Sequence, residues 1–357
     1  MSITRLMMSL FEHPEFADHQ QVSFFSDQAS GLKAVIAVHN TNLGPALGGC
    51  RMWNYASSAE ALNDVLRLSK GMTYKAAMAE LKLGGGKSVI IGDPRTQKSP
   101  AMMEAMGRCV ESFMGNYITA EDSGISVDDL KLMEKHSQNI AGTRANYSYD
   151  GGESDGNPAP STAYGVFVGL KASVAHRLNR NLKGVKVAIQ GLGHVGYRLA
   201  KHLHSEGAEL FVTDIFPDNL DKAATELGAK IVDPKDIFSQ DVDVFAPCAL
   251  GASINEETIP LLKASVIAGA ANNQLAFEHL GGELAKRDIL YAPDYVINAG
   301  GVIDIYHQRM DSDATALRAH IERIGVTLNE IYERAGAENK ATNNVANAIA
   351  EERFGLN

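Results

Sequence analysis

Three charged side chains early in the chain stand where a purely structural sequence would place apolar ones. Lys87 closes the run Gly84-Gly85-Gly86-Lys87 and leads into the apolar stretch "SVIIG". Lys75, twelve residues earlier, lies in the helix-like run "GMTYKAAMAEL" beside Ala76 and Ala77. Asp122, preceded by Glu121, follows the β-prone run "NYIT". Any one of them alone reads as a surface charge. Two lysines and a carboxylate near glycines in one region point to a site, because charges drawn out of water need partners or chemistry. The glycines ahead of Lys87 imply that backbone or a ligand passes close to it. A phosphate-binding loop does not fit: it requires a glycine at position 81, which is Leu81, and a helix after the lysine, where a strand is expected.

A second constellation is a dinucleotide fingerprint in "GVKVAIQGLGHVGYRLAKHLHSEGAELFVTDI". A strand over Val185–Gln190 precedes Gly191, Gly193 and Gly196, with His194 and Val195 among them. A helix from Val195 to His204 and a strand from Leu210 to Thr213 follow. The strand ends at Asp214, 23 residues after Gly191, where an acid accepts hydrogen bonds from a ribose and repels a 2′-phosphate. The helix N-terminus faces the pyrophosphate. A bare glycine fingerprint is weak evidence; with both strands and the acid in register it predicts NAD.

These residues need elements to hold them. At 357 residues the chain is too long for one ordinary core, and its pattern predicts two α/β domains. Strands are expected at Leu32–Asn40 and after Gly86, with helices over Ser57–Lys70 and Pro100–Phe113. The Gly-, Ser- and Asp-rich segment Ala145–Pro160 reads as a linker. Beyond it a helix near Thr162–Arg177 leads into the fingerprint. Then "VDVFAPCALG", "ASVIAGAANNQ" and "ILYAPDYVINAGG" give three more strand-then-loop units of a doubly wound, Rossmann-like sheet. The expected division is 1–150 for substrate binding, catalysis and oligomerisation, 151–310 for NAD, and a helical segment 311–357 returning towards the first domain. Cofactor and substrate elements on opposite sides of the linker imply that the domains close during reaction.

Composition narrows the function class. A net charge of −10 argues against nucleic acid or an anionic membrane as partner. The three cysteines, Cys50, Cys109 and Cys248, lie far apart without metal or disulfide spacing, so no metal site is expected. Neither a signal-peptide core nor a membrane-spanning run is apparent, which predicts a cytoplasmic protein.

Long motifs in order then carry a resemblance. "NLGPALGGCRMW", "GMTYKAA", "GGGKSVIIGDP", "ITAEDSG", "GNPAPSTAYGV", "VAIQGLGHVG", "FAPCALGA", "AGAANNQL" and "YAPDYVINAGGVI" resemble the leucine/phenylalanine/valine branch of the amino-acid dehydrogenases related to glutamate dehydrogenase. The resemblance implies oxidation of an L-amino acid to a 2-oxo acid with release of ammonia and transfer of hydride to a nicotinamide, in a homo-oligomer. It implies that Lys75 pairs with the substrate carboxylate, helped by the backbone at Gly48 and Gly49. Lys87 then polarises the developing carbonyl and activates water, and Asp122 shuttles protons at the amino group. A lysine withdrawn from water beside a second cation is a usable general base. Thr162, Cys248, Ala249, Asn272 and Asn298 are implied at the nicotinamide end. One of Asn272 and Asn273 should touch the substrate amino group.

For the substrate side chain, Leu47, Met72, Ala120, Val302 and Ile305 are expected to form an apolar pocket, Val302 and Ile305 sharing a helix face. That favours leucine and other branched-chain substrates. Glutamate-specific relatives have a lysine where Leu47 stands, and a non-catalytic NAD-binding derivative should have lost Lys75, Lys87 or Asp122. Ser123, Asp304, Tyr306 and His194 depart from the usual pattern. Ser123 and Asp304 offer polar contacts that keep an aromatic substrate, phenylalanine or tryptophan, open.

Overall fold

The computed structural model describes residues 9–143, 146–154 and 156–355, which fall into two compact units, up to residue 143 and from residue 146. The N-terminal patch, residue 144 and part of the expected linker (145 and 155) lie outside the described residues.

The first unit contains β1 (Gln21–Asp27), β2 (Leu32–Asn40), β3 (Ala46–Trp53), α1 (Ser58–Met78), β4 (Gly84–Ile91), α2 (Pro100–Glu111), β5 (Tyr117–Ala120) and α3 (Val127–Glu134). Its sheet runs in the order β1-β2-β4-β3-β5. β1 and β2 are antiparallel, as are β2 and β4, whereas β3 lies parallel to both β4 and β5. Every residue of β2 except Lys33 is buried, the continuous apolar run of a strand covered on both faces. One face packs Cys50, Met52 and Ile90 on Met103 and Met106 of α2; the other packs Val35, Ala37 and Val89 on Ala61, Val65 and Leu66 of α1. Ser57 caps α1 by accepting from the Glu60 N–H at 3.1 Å, and Ser99 with Pro100 starts α2 in the same manner.

Two local expectations change. The helix expected to stop at Lys70 continues to Met78, because Thr73, Tyr74, Ala76 and Ala77 extend its buried stripe and the single Gly71 costs only about 1 kcal/mol. Gly84–Gly86 are not a loop ahead of a strand but the start of β4 itself, fully buried.

The second unit opens with the hairpin β6 (Asn146–Tyr147) and β7 (Glu153–Ser154), antiparallel to each other. Then come α4 (Ala159–Leu178), β8 (Lys186–Gln190), α5 (His194–Ser205), β9 (Glu209–Thr213), α6 (Pro217–Leu227), β10 (Lys230–Ile231), β11 (Val244–Pro247), β12 (Val266–Ile267), α7 (Leu280–Lys286), β13 (Leu290–Tyr291), α8 (Asp294–Ile297), α9 (Gly300–Arg309), α10 (Ala314–Glu338) and α11 (Thr342–Phe354). The sheet order β10-β9-β8-β11-β12-β13, parallel throughout, is the doubly wound arrangement, with its switch point between β8 and β11.

The tail is built into this second unit. Tyr332 of α10 lies 2.7 Å from Ser173 of α4, and Tyr164 donates to Glu322 at 2.6 Å. Thr342 and Asn343 of α11 donate to the carbonyls of Tyr291 and Glu278. The apolar stripe of α10 (Leu317, Ile321, Ile324, Leu328, Ile331) is thereby buried. Among the described residues no helix is long and apolar enough to cross a membrane, and no group of three or more His, Cys, Asp or Glu is placed to hold a metal ion.

Candidate active site

Strand alternation gathers the charged residues of the first unit on one face of its sheet. Gly85 sits so close to α1 that a side chain on it would lie 2.0 Å from the Thr73 backbone nitrogen, so Gly85 and Lys87, two residues on, share the α1 face of β4. The register pairs Leu47 with Gly85 and Gly49 with Ala120. A side chain on Gly49 would meet the Asp122 Cβ at 2.8 Å and the Lys87 Nζ at 3.3 Å. Leu47, Gly49 and Arg51 of β3 and Ala120 of β5 therefore belong to the same face, and α1 carries Met72 and Lys75, both half-buried. The crowding around the Gly84–Gly86 run is made by protein: Thr73 against Gly85, and the Tyr117 ring 2.8 Å from where a Gly86 side chain would begin. The Gly48 carbonyl accepts from Tyr117 Oη at 2.9 Å.

Lys87, only 5% exposed, makes a close ion pair with Asp122 Oδ2. The other carboxylate oxygen accepts from the Ser123 N–H at 2.5 Å and faces Arg51 Nη2 at 3.5 Å. Burial alone would raise the Asp122 carboxyl; the Lys87 ammonium and the Arg51 guanidinium overturn this and hold it well below the usual carboxylate range. A carboxylate fixed in its ionised form beside an ammonium is a pair able to accept one proton and hold another. Ser123 meets Asp122 through its backbone, and its side chain is exposed.

In the second unit the fingerprint residues converge on the switch point. Gly191 adopts φ +98°, the left-handed region that favours glycine, and a side chain there would strike Ala249 at 2.8 Å. A side chain on Gly196 would strike the Gly191 carbonyl at 2.0 Å and Cys248 at 3.2 Å, so α5 packs tightly on the loop. Gly193, the N-cap of α5, faces open space, with His194 exposed beside it and Val195 half-buried. Asp214 accepts from the Leu192 N–H at 2.5 Å and the Phe216 N–H at 2.8 Å, tying the end of β9 to the glycine loop.

A second group forms at the start of α9. Asn298 Nδ2 donates to Asn272 Oδ1 at 2.8 Å and to the Ala270 carbonyl at 3.1 Å. Its own Oδ1 is buried and makes no hydrogen bond. Thr162 of α4 lies against Gly301, where a side chain would meet its Oγ1 at 2.6 Å. Open space at a helix N-terminus and an unused buried amide oxygen suit a dinucleotide: a diphosphate on the first, a carboxamide donor on the second. Asn273 is exposed with φ +51°. Val302 is buried and Ile305 half-buried on α9.

One expectation fails here. Asp304 is not free for a substrate: it is buried between α9 and α4, with Ser161 donating to Oδ2 at 2.5 Å and Gln308 to Oδ1 at 3.1 Å. Burial pushes its carboxyl up. Arg51, Tyr55 and Asp64 went unassigned in the sequence, although Arg51 stands two residues after Gly49. The signal available was an arginine in an otherwise apolar strand.

The first unit matches the model of the Glu/Leu/Phe/Val dehydrogenase dimerisation domain over residues 19–139, and the second the Glutamate/Leucine/Phenylalanine/Valine dehydrogenase model over 151–214 and 217–354. A leucine dehydrogenase of Bacillus cereus is 48% identical over 350 residues, 98% of this chain and 94% of that protein. A phenylalanine dehydrogenase of Bacillus thermotolerans is 46% identical over 352 residues, 97% of this chain and 90% of the relative. The crystal structure of L-tryptophan dehydrogenase from Nostoc punctiforme superposes with a TM-score of 0.83 at 43% identity, covering 95% of this chain and 96% of that one. With both units matched and the charged pair and fingerprint in place, the chain belongs to the glutamate/leucine/phenylalanine/valine dehydrogenase family of amino-acid dehydrogenases.

Proposed function

We propose that the protein catalyses the NAD-dependent oxidative deamination of an apolar L-amino acid, with leucine and its branched-chain neighbours as substrates. An L-amino acid, NAD⁺ and water become a 2-oxo acid, ammonium, NADH and a proton. The observation that carries this reading is the buried Lys87–Asp122 pair lying against Gly49, with Leu47 and Ala120 on the same sheet face.

Lys75 pairs with the substrate α-carboxylate. Asp122, ionised, takes a proton from the α-ammonium group and leaves the amine able to drive hydride departure. A bound nicotinamide would supply the acceptor for that hydride. Lys87 then turns to the substrate carbon and holds the water that attacks the iminium; one water proton passes to the amine nitrogen, the other leaves to solvent as the carbonyl forms, and the ammonium stabilises the oxygen charge that develops. Asp122 returns its proton to the departing ammonia. Thr162, Asn272 and Asn298 would hold the cofactor amide, Gly191, Gly193, His194, Val195 and Gly196 its diphosphate, and Cys248 and Ala249 would contribute to the nicotinamide end. Asp214 selects NAD over NADP by its negative charge. Asn273 is assigned to the substrate amino group.

The cations on the sheet face support an apolar substrate. Lys87 is matched by Asp122, and Arg51 by Asp64 and Asp122. A distal substrate carboxylate left unpaired costs several kcal/mol, whereas a branched aliphatic side chain gains about 1.5–3 kcal/mol on burial. An aromatic substrate is the second reading, favoured by the likeness to tryptophan and phenylalanine dehydrogenases and by the small Ala120. NADH formation at alkaline pH across a panel of L-amino acids tests both. Leucine, isoleucine and valine are expected to lead. A preference for glutamate would overturn the apolar reading; a preference for phenylalanine or tryptophan would keep the reaction and change the substrate.

A further inference from the structure

Asp122 is held from two sides, and only one of the two cations is a proposed participant in the reaction. Lys87 approaches Oδ2 from β4. Arg51 approaches Oδ1 from β3 at 3.5 Å, together with the Ser123 N–H. The guanidinium is itself anchored: Nη1 donates to Asp64 Oδ2 of α1 at 2.9 Å. Asp64 in turn accepts from Tyr55 Oη at 2.7 Å and from Arg67 Nη2 at 3.1 Å. A network of four side chains centred on Asp64 thus reaches from α1 to the carboxylate, and Arg51 is its only link to Asp122 among the described contacts.

The arrangement has a consequence for the reaction sequence. When Lys87 turns to the substrate carbon, Oδ2 loses its cation while it still has to hand the amino proton back to the departing ammonia. A carboxylate left with the Ser123 N–H as its one remaining contact would then be able to swing about that bond. We propose that Arg51 is a positioning residue for Asp122, keeping Oδ1 fixed while Oδ2 exchanges protons, with Asp64 as the anchor that keeps Arg51 in place. The planar fork of the guanidinium suits this, because Nη1 serves Asp64 while Nη2 reaches Asp122. The inference rests on the assignment of Lys87 and Asp122 to the chemistry.

The test is a double-mutant cycle in the full-length protein, using NAD and whichever L-amino acid gives the highest turnover. Arg51→Gln is expected to lower kcat roughly ten- to a hundredfold, the cost of a misplaced catalytic group, with KM for NAD changed less than about twofold. Arg51→Lys should recover a substantial part of that loss. Arg51→Gln combined with Asp122→Asn should be no slower than Asp122→Asn alone, because the arginine acts only through the carboxylate. Asp64→Asn should show a smaller loss in the same direction, and it carries the test if Arg51→Gln does not fold. Unchanged kcat in Arg51→Gln, or losses that multiply in the double variant, would overturn the proposal. Near-wild-type turnover in Asp122→Asn would instead remove the site assignment beneath it.

Discussion

The two units use glycine for opposite purposes. In the first, Gly49 and Gly85 lie in ordinary strand backbone and matter because there is no room for a side chain: α1 and the Lys87–Asp122 pair fill that space. In the second, Gly191 turns the chain through φ +98° and Gly193 leaves space open in front of a helix. The groups they serve differ in kind as well. The first unit concentrates charge, with Lys87, Asp122, Arg51 and Asp64 linked on one sheet face. The group at the start of α9 in the second is neutral: Thr162 lies against Gly301, and Asn298 donates to Asn272 while its own oxygen is buried and unused. Bond-making chemistry needs charges that move protons; holding a cofactor needs backbone and amides that stay still.

That contrast predicts different failures. The largest effect is expected in the first unit: Lys87→Ala and Asp122→Asn should each lower kcat by about two orders of magnitude or more, with KM for NAD nearly unchanged. Steady-state kinetics with both substrates varied measures the split, and a large rise in KM for NAD would blur the division of labour. Gly49→Ala comes next, since its methyl would begin 2.8 Å from Asp122 Cβ. Turnover should drop by at least about tenfold through displacement of the pair, while Tm stays within a few degrees. Retained turnover would show that the close approach is not needed.

In the second unit, Asp214→Ala should spare kcat and weaken NAD. Loss of hydrogen bonds to a charged group costs about 1.5–3 kcal/mol, roughly ten- to a hundredfold in kcat/KM for NAD. The ratio of kcat/KM for NAD to that for NADP should fall, and an unchanged ratio would detach Asp214 from cofactor choice.

The smallest effect is one that the units share. His39 in the first and His307 in the second are buried, and burial, with a neighbouring cation or histidine, lowers them to about 3 and about 4 from the ordinary value of 6.5. The unfolded chain therefore binds protons that the fold refuses. Stability is full above pH 6.5 and falls as pH drops towards 4, whereas Asp122, with its lowered value, begins to lose its contribution only below the ordinary carboxylate range. Thermal unfolding between pH 7 and pH 4.5 should show a declining midpoint, with a shallower slope in His39→Gln. Identical slopes in variant and wild type would remove His39 from the account.

The legibility of the two units also differs. The second was readable almost residue by residue, because a dinucleotide turn fixes glycine spacing, strand order and acid position within one short stretch. Its tail was not: the apolar stripe of α10 announces that a face is buried but not on what, and the partner is α4. In the first unit Lys75, Lys87 and Asp122 stood out by type, yet the glycines beside Lys87 were expected to form a loop and prove to be strand. Asp304 shows the reverse error, a polar residue expected at the substrate and found bridging two helices through Ser161 and Gln308.

The sequence by itself determined what is local or compositional: two α/β domains, the fingerprint with its acid, the charged residues set among glycines, and family membership through long ordered motifs. Tertiary structure alone decided which residues share a face. Arg51, Asp64, Lys87 and Asp122 are scattered over β3, α1, β4 and the loop after β5. No spacing rule links them, because the contacts arise from parallel strand register and from a helix laid across it. Register is set by the burial of whole faces, a property of the assembled sheet and not of any segment.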